Sequence, residues 1–343
     1  EPGGGNNIFE YLFNPKLKIT TFVESVLIKV DPTGVITAVM STTTSGQGHE
    51  TLVSTIAGEE LERDPDTIRV THGDSLEALP TRSPVASRMA IVLGTAVSMA
   101  AREIKGKMIV IAAYDLGVDK DRIEYADGEF AVRGDPSKKL TWEEVAQIAH
   151  KQFHRMPPGH ELGLQAYSVQ QVPGGGQMPD ENNEVPLYPC FSFQAHVPLV
   201  EIDPGTGKVR VHDYFIAHDC GTAINPDIVR GMIIGGVAHG IGAALYEKFE
   251  YDGDGQLLAG TFVDYLLPSA HEIPPVTDVE HCTPSPMTSL GQKGSGEGGY
   301  LGAPAAIASA VNDALAPLGI EINELPIRAR DIEAAIHAGK SGT

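Results

Sequence analysis

Apolar and polar positions alternate with a period of two over Phe22 to Val30 and Val35 to Ser41, which predicts two strands joined by the turn Asp31-Pro32-Thr33-Gly34. Gly46-Gln47-Gly48-His49-Glu50 then opens a predicted helix to about Leu61, with Ser45 or Gln47 as its cap. Thr67 to Thr71 reads as a strand, Pro84 to Ile104 as an Ala-rich helix and Lys107 to Leu116 as a second helix. Ile123 to Tyr125 and Glu129 to Val132 form a hairpin turning at Asp127-Gly128. Thr141 to Lys151 is helical, with Thr141 and Glu144 spaced as a capping box. Residues 1 to 16 read as an irregular arm. Residues 155 to 187, with Val172-Pro173-Gly174-Gly175-Gly176, read as a flexible connection or a loop ordered against a partner.

Two long strands follow, Phe191 to Ile202 and Lys208 to His218, around the turn Asp203-Pro204-Gly205-Thr206-Gly207. Asn225 and Pro226 occupy cap and first-turn positions of a helix to about Tyr246. Its Gly231, Gly235, Gly236, Gly240 and Gly242 predict close packing on another backbone. A hairpin around Gly253 and Gly255, a strand over Val276 to Cys282 and a helix over Pro304 to Leu315 complete the pattern. Hairpins and helices in this order indicate an α+β fold with mixed sheets.

At 343 residues the chain is long enough for a large core. Its formal charge of −20, from 45 acidic and 25 basic residues, argues against a nucleic-acid or anionic membrane partner. No stretch approaches the roughly 20 apolar residues of a membrane span. The chain opens at Glu1 and shows no signal peptide. Cys190, Cys220 and Cys282 are widely spaced and form no metal-binding or disulfide pattern, which fits a reducing, cytoplasmic setting.

The chemistry concentrates in glycine loops. Gly294-Ser295-Gly296-Glu297-Gly298-Gly299 sets a carboxylate where backbone can approach another molecule closely. Its Gly294-x-Gly296-x-x-Gly299 spacing matches a dinucleotide fingerprint, but it follows Pro284-Ser285-Pro286 near the chain's end rather than the first strand of a βαβ unit. Gly46-Gln47-Gly48-His49-Glu50-Thr51 is a second glycine loop feeding a helix, either an anion site or a plain turn. His49-Glu50 lacks the second His of a zinc helix. Ala86-Ser87-Arg88-Met89 is a third segment; an isolated Arg88 reads as a surface residue. Asp219-Cys220-Gly221-Thr222-Ala223-Ile224-Asn225-Pro226 is a fourth, in which Cys220 reads as a small buried residue. Each is weak alone. Four loops leading into helices can converge on one large polar ligand.

Those four segments, the last taken as Lys293-Gly294-Ser295-Gly296-Glu297, occur in the order of the molybdenum-binding large subunit of the xanthine oxidase family, and the chain resembles its aerobic carbon monoxide dehydrogenase-like branch. The resemblance covers nearly the whole chain. It implies molybdopterin-cofactor-binding domains of mixed sheets flanked by helices: residues 1–155 as the later part of a first cofactor-binding domain with the start of a second, and 156–343 as the remainder carrying the glutamate loop. It implies a molybdenum ion held by the pterin dithiolene rather than by protein ligands, with the pterin in its cytosine dinucleotide form. Glu297 is then the general base toward a metal-bound hydroxyl. Gly46, Gln47, Gly48 and His49, together with Ala86, Ser87 and Arg88, line the cofactor, as do Cys220, Thr222 and Asn225 and then Lys293, Gly294, Ser295 and Gly296. The reaction implied is hydroxylation of an aromatic heterocycle or aldehyde with oxygen from water. Electrons leave through [2Fe-2S] and FAD groups on partner subunits. A non-catalytic scaffold subunit and a nicotinamide-dependent dehydrogenase are the competing readings.

Three departures from the family pattern stand out. The chain matches only the later half of such a subunit, so the other half is expected on another chain or a missing segment. Ala86 sits where glycine is common. Met232 sits where glutamine is frequent near the cofactor. The copper-binding loop of carbon monoxide dehydrogenases would lie in the missing half, so carbon monoxide is not implied.

Overall fold

The computed structural model describes residues 1–5, 13–14, 16, 23–76, 79–81, 84–188 and 190–340. In chain order the first strands are β1 (Pro2–Gly3), β2 (Val23–Val30) and β3 (Ile36–Met40). Helix α1 (His49–Leu61) and strand β4 (Arg69–Thr71) follow, then α2 (Met89–Leu116). The hairpin strands β5 (Ile123–Ala126), β6 (Glu129–Val132) and β7 (Asp135–Thr141) lead to α3 (Trp142–Lys151), where the Thr141–Glu144 capping box is formed as predicted. Strands β8 (Leu164–Gln171), β9 (Cys190–Phe191), β10 (Phe193–Ile202) and β11 (Val209–Asp219) come next. Helix α4 (Pro226–Leu245), β12 (Val276–Glu280), α5 (Gly298–Leu301), α6 (Ala303–Leu315) and α7 (Ala329–Lys340) finish the chain.

A mixed sheet in the order β4-β3-β2-β8 carries α2 on its inner face, and this forms the first core. β8 lies in the stretch predicted to be irregular. It pairs antiparallel with β2 from Val23↔Gln171 to Val30↔Leu164, burying Leu164, Ala166 and Ser168 on alternate positions. Gln165, Gln170 and Gln171 on or near its exposed side, with Pro-Gly sequence before and after, hide this alternation in the sequence.

The long helix also differs from its prediction. α2 is one continuous run that crosses Gly106, and it begins at Met89 rather than Pro84. Glycine within a helix costs about 1 kcal/mol, but Ile104, Met108 and Ile111 are fully buried around it and contribute on the order of 2 kcal/mol each. The core term wins. The late start has a backbone cause: Ala86 and Ser87 have φ of +61° and +45°, outside the right-handed helix.

The second core lies between the sheet β10-β11-β12 and helices α4, α6 and α7. β10 and β11 are antiparallel and β12 runs parallel to β11. The predicted close packing of α4 holds at two of its glycines. A methyl on Gly236 would stand 2.8 Å from the Gly299 backbone, and one on Gly240 2.3 Å from Ala303 Cβ. Gly231 and Gly235 face open space instead. With 20 residues, α4 is long and apolar enough in composition to cross a membrane, contrary to the sequence reading; Ile233, Val237 and Ile241 pack into the second core. The predicted arm at 1–16 contributes β1, which pairs with β9 (Pro2↔Phe191, Gly3↔Cys190); the rest of that arm falls largely outside the described residues.

Candidate functional site

The two cores meet at a cavity of about 360 Å³, and its wall is built from the four segments singled out from the sequence. From the first core come Gln47, Gly48 and His49 at the head of α1, and Ala86, Ser87 and Arg88 before α2. From the second come Cys220, Thr222 and Asn225 after β11, Met232 on α4, and Lys293 through Glu297 before α5. Of the residues singled out from the sequence, Gly46 is not in the wall; with φ of +101° it makes the turn that leads into it.

Arg88 is not a surface residue. It is fully buried, and its guanidinium pairs with the equally buried Glu24 of β2 (Nη2 to Oε1, 2.6 Å). Ser41 and Thr81 donate to the other oxygen of Glu24 at 2.6 and 2.7 Å. A buried ion pair of this kind is costly to break from one side, because it leaves a charge without compensation. It anchors the start of α2 to the β2–β3 sheet. Glu24 was visible in the sequence only as the one acid among the polar positions of a predicted strand.

The strain at Ala86 has a measurable consequence. Left-handed backbone costs an L-residue about 1 kcal/mol or more, and glycine escapes it. Ala86→Gly is expected to raise unfolding stability by about 1 kcal/mol, read as a higher denaturant midpoint with unchanged slope.

Hydrogen bonds lace the second-core loops together. Thr222 N–H donates to Gly291 O at 3.0 Å and Lys293 N–H to Cys220 O at 2.8 Å. Lys293 Nζ lies 2.9 Å from Asp219 Oδ2. Burial opposes ionisation of Asp219, but the Gly221 N–H, the Lys293 ammonium and Thr283 outweigh it and hold the carboxyl down at about 2. Gln292, which the sequence did not flag, is 1 % exposed and ties the two halves together by donating through Nε2 to Ala90 O at 2.9 Å. Asn225 Oδ1 accepts from Ile228 N–H at 3.0 Å, so its side chain caps α4 as predicted. Burial pushes the Cys220 thiol up to about 11, so it stays protonated, and burial lowers His49, which stays neutral.

Glu297 stands at the head of α5, exposed, with its carboxylate at the cavity rim. The carboxylate makes no hydrogen bond or ion pair among the described residues, whereas its backbone is fixed. Glu297 N–H donates to Glu1 Oε1 at 3.0 Å, and Ser87 Oγ donates to the same oxygen. Glu1 therefore joins the two loops from opposite sides; nothing in the sequence pointed to it. Burial raises the Glu1 carboxyl, the Ser87 and Glu297 donors lower it, and the nearby Glu297 charge raises it again. Gly294 explains how the loops come so close: a Cβ there would fall 1.6 Å from Ser87 O.

The family model for a molybdopterin cofactor-binding domain matches residues 5–274. The chain belongs to that family. It is 35% identical over 306 residues to the nicotine 6-hydroxylase large subunit of Paenarthrobacter nicotinovorans, covering 89% of this chain and 36% of the relative. Among solved structures, a Cu,Mo-CO dehydrogenase superposes with a TM-score of 0.85 at 30% identity, covering 100% of this chain and 40% of that one. Quinoline 2-oxidoreductase from Pseudomonas putida 86 gives 0.84 at 34% identity, covering 98% and 40%. The chain is thus part of a large subunit of the xanthine oxidase family and spans a little over a third of the length of such relatives.

The wall suits a polar, anionic molybdopterin. α1 and α2 both begin at the cavity, and neither cap residue, Gly48 or Arg88, makes a side-chain cap hydrogen bond. Gln47, considered as the α1 cap, instead accepts from Ser45 N–H at 2.6 Å. Free first-turn N–H groups and helix dipoles favour anions such as phosphates. Ser295 Oγ is buried in the wall without a partner among the described residues, a site for a ligand hydrogen bond. No set of three or more His, Cys, Asp or Glu side chains converges for a metal among the described residues.

Proposed function

We propose that this chain is the molybdenum-site portion of a hydroxylase large subunit, with Glu297 as its catalytic base. The observation that carries the reading is the convergence of the four segments on one cavity, with a carboxylate at its edge that has no partner among the described residues. The bound molybdenum cofactor supplies the two-electron oxidation. The chain's own part is positional and acid–base. The first turns of α1 and α2, with Ser87, hold the anionic end of the pterin, in its cytosine dinucleotide form. Cys220, Thr222, Asn225 and the Lys293–Gly296 backbone close over it from the second core. Lys293 is engaged by Asp219 and acts by holding the loop.

Glu297 takes the proton from the attacking oxygen species of water origin. An exposed carboxylate with no partner among the described residues is free to turn, which suits a base that has to reach its proton. The substrate is an aromatic heterocycle or an aldehyde; the names of the nicotine- and quinoline-oxidising relatives support the heterocycle. Electrons pass to [2Fe-2S] and FAD on partner subunits, the rest of the large subunit completes the pocket, and the assembly is cytoplasmic.

The test is composition. Purified with whatever polypeptides accompany it, the chain is expected to carry about one molybdenum and one pterin, with cytidine monophosphate released on acid hydrolysis. A stable assembly without molybdenum or pterin would favour the scaffold reading. Stoichiometric NAD binding in place of pterin would sink both.

A further inference from the structure

The sheet β10-β11-β12 has a second face that the helices leave bare. α4 and α6 cover one side, where Tyr214 and Ile216 are buried. On the other side the register aligns Val197 with Phe215 and Ala195 with Ala217. Phe193 is 64% exposed, Val197 60%, Leu199 55%, Phe215 47% and Val279 56%. Large side chains in a contiguous row at this exposure cost solubility unless a partner covers them. Single exposed leucines need no explanation; a sheet face built of five large apolar residues does.

We propose that this face is the seat of the remainder of the large subunit. The inference rests on the functional reading above, since it names the partner that completes that site. Three observations choose the occupant. The chain spans 36% of a relative's large subunit, so most of such a subunit lies outside it. The face runs up to the cavity: Phe193 lies under Lys293 Nζ, 5.7 Å from the ring centroid, and Lys293 lines the cavity wall. A cover seated on Phe193 therefore also reaches the Lys293 side of the cavity. Charge speaks against a second copy, because self-pairing brings together two chains of formal charge −20 with Glu201 and Glu280 exposed near the same sheet.

A cysteine reporter tests the assignment. In Val197→Cys, thiol modification followed by peptide-resolved mass spectrometry is compared between this chain alone and the large subunit in its complete, assembled form. The rate is expected to fall at least tenfold on assembly. Val197→Asp is expected to prevent assembly while this chain alone melts as the parent does. Equal modification rates in the two states would overturn the proposal, as would normal assembly of the Asp variant. A rate that falls with the concentration of this chain alone would identify a second copy instead, and overturn it too. Molybdenum content separates the two claims. A molybdenum-loaded assembly with fully reactive Val197→Cys sinks the docking face and leaves the function standing. A protected cysteine in an assembly that never carries molybdenum supports the face and sinks the function.

Discussion

Replacing Glu297 with glutamine should leave molybdenum and pterin content near normal while kcat of the assembled enzyme falls by about 10² to 10⁴, the range expected for loss of a positioned general base. The geometry separates the two effects. What holds the loop is the Glu297 N–H bond to Glu1, the fit of Gly294 under Ser87 and the contact of Gly299 with α4. None of these uses the carboxylate. That side chain is exposed and bonded to nothing among the described residues, so an isosteric amide removes charge and basicity without opening a structural gap. KM should change little. Metal analysis and steady-state kinetics on one preparation check the prediction. A variant retaining more than a tenth of the parent kcat would show that the proton leaves by another group.

Three residues earlier the same loop should respond in the opposite way. In Gly294→Ala the new methyl would lie 1.6 Å from Ser87 O and 2.7 Å from Ser87 C, both backbone atoms with no rotamer to escape into. The loops must part, and with them the Glu1 bridge. A shift of about 1 Å at a reacting group costs on the order of 100-fold in rate, and overpacking of this kind about 1–3 kcal/mol in stability. Cofactor content, activity and denaturant midpoint are therefore expected to fall together. Gly296→Ala is the internal control, because its methyl would meet Ser87 Oγ at 3.1 Å and Met232 Cε at 3.5 Å, both ends of movable side chains. It should keep most of its cofactor. If both alanines behave alike, close approach is not the reason for the glycines.

The strands and helices with clean periodicity were legible in the sequence, as was the Thr141 capping box, because local chemistry alone decides them. β8 was not, since its glutamines mask the alternation that only pairing with β2 reveals. The division of α2 failed because Gly106 is punctuation locally and is overruled by buried neighbours. For the site, residue types in order pointed to the four loops that do meet. Their cross-links could not be read that way: Glu24 to Arg88 spans 64 positions, Gln292 to Ala90 spans 202 and Glu1 to Glu297 spans 296. Partners that distant leave no spacing to recognise. Arg88 shows the cost, since as an isolated residue it reads as solvated and in the fold it is among the largest fully buried side chains.

The cavity wall is shared between segments that lead into the first core and segments that lead into the second. A ligand bound there acts as mortar between them. Its binding free energy adds to the docking of one body on the other and leaves the internal stability of each nearly untouched. Loss of the ligand is then expected to weaken the seam before it weakens either core. A ligand that needs the seam open to enter would seal it on arrival.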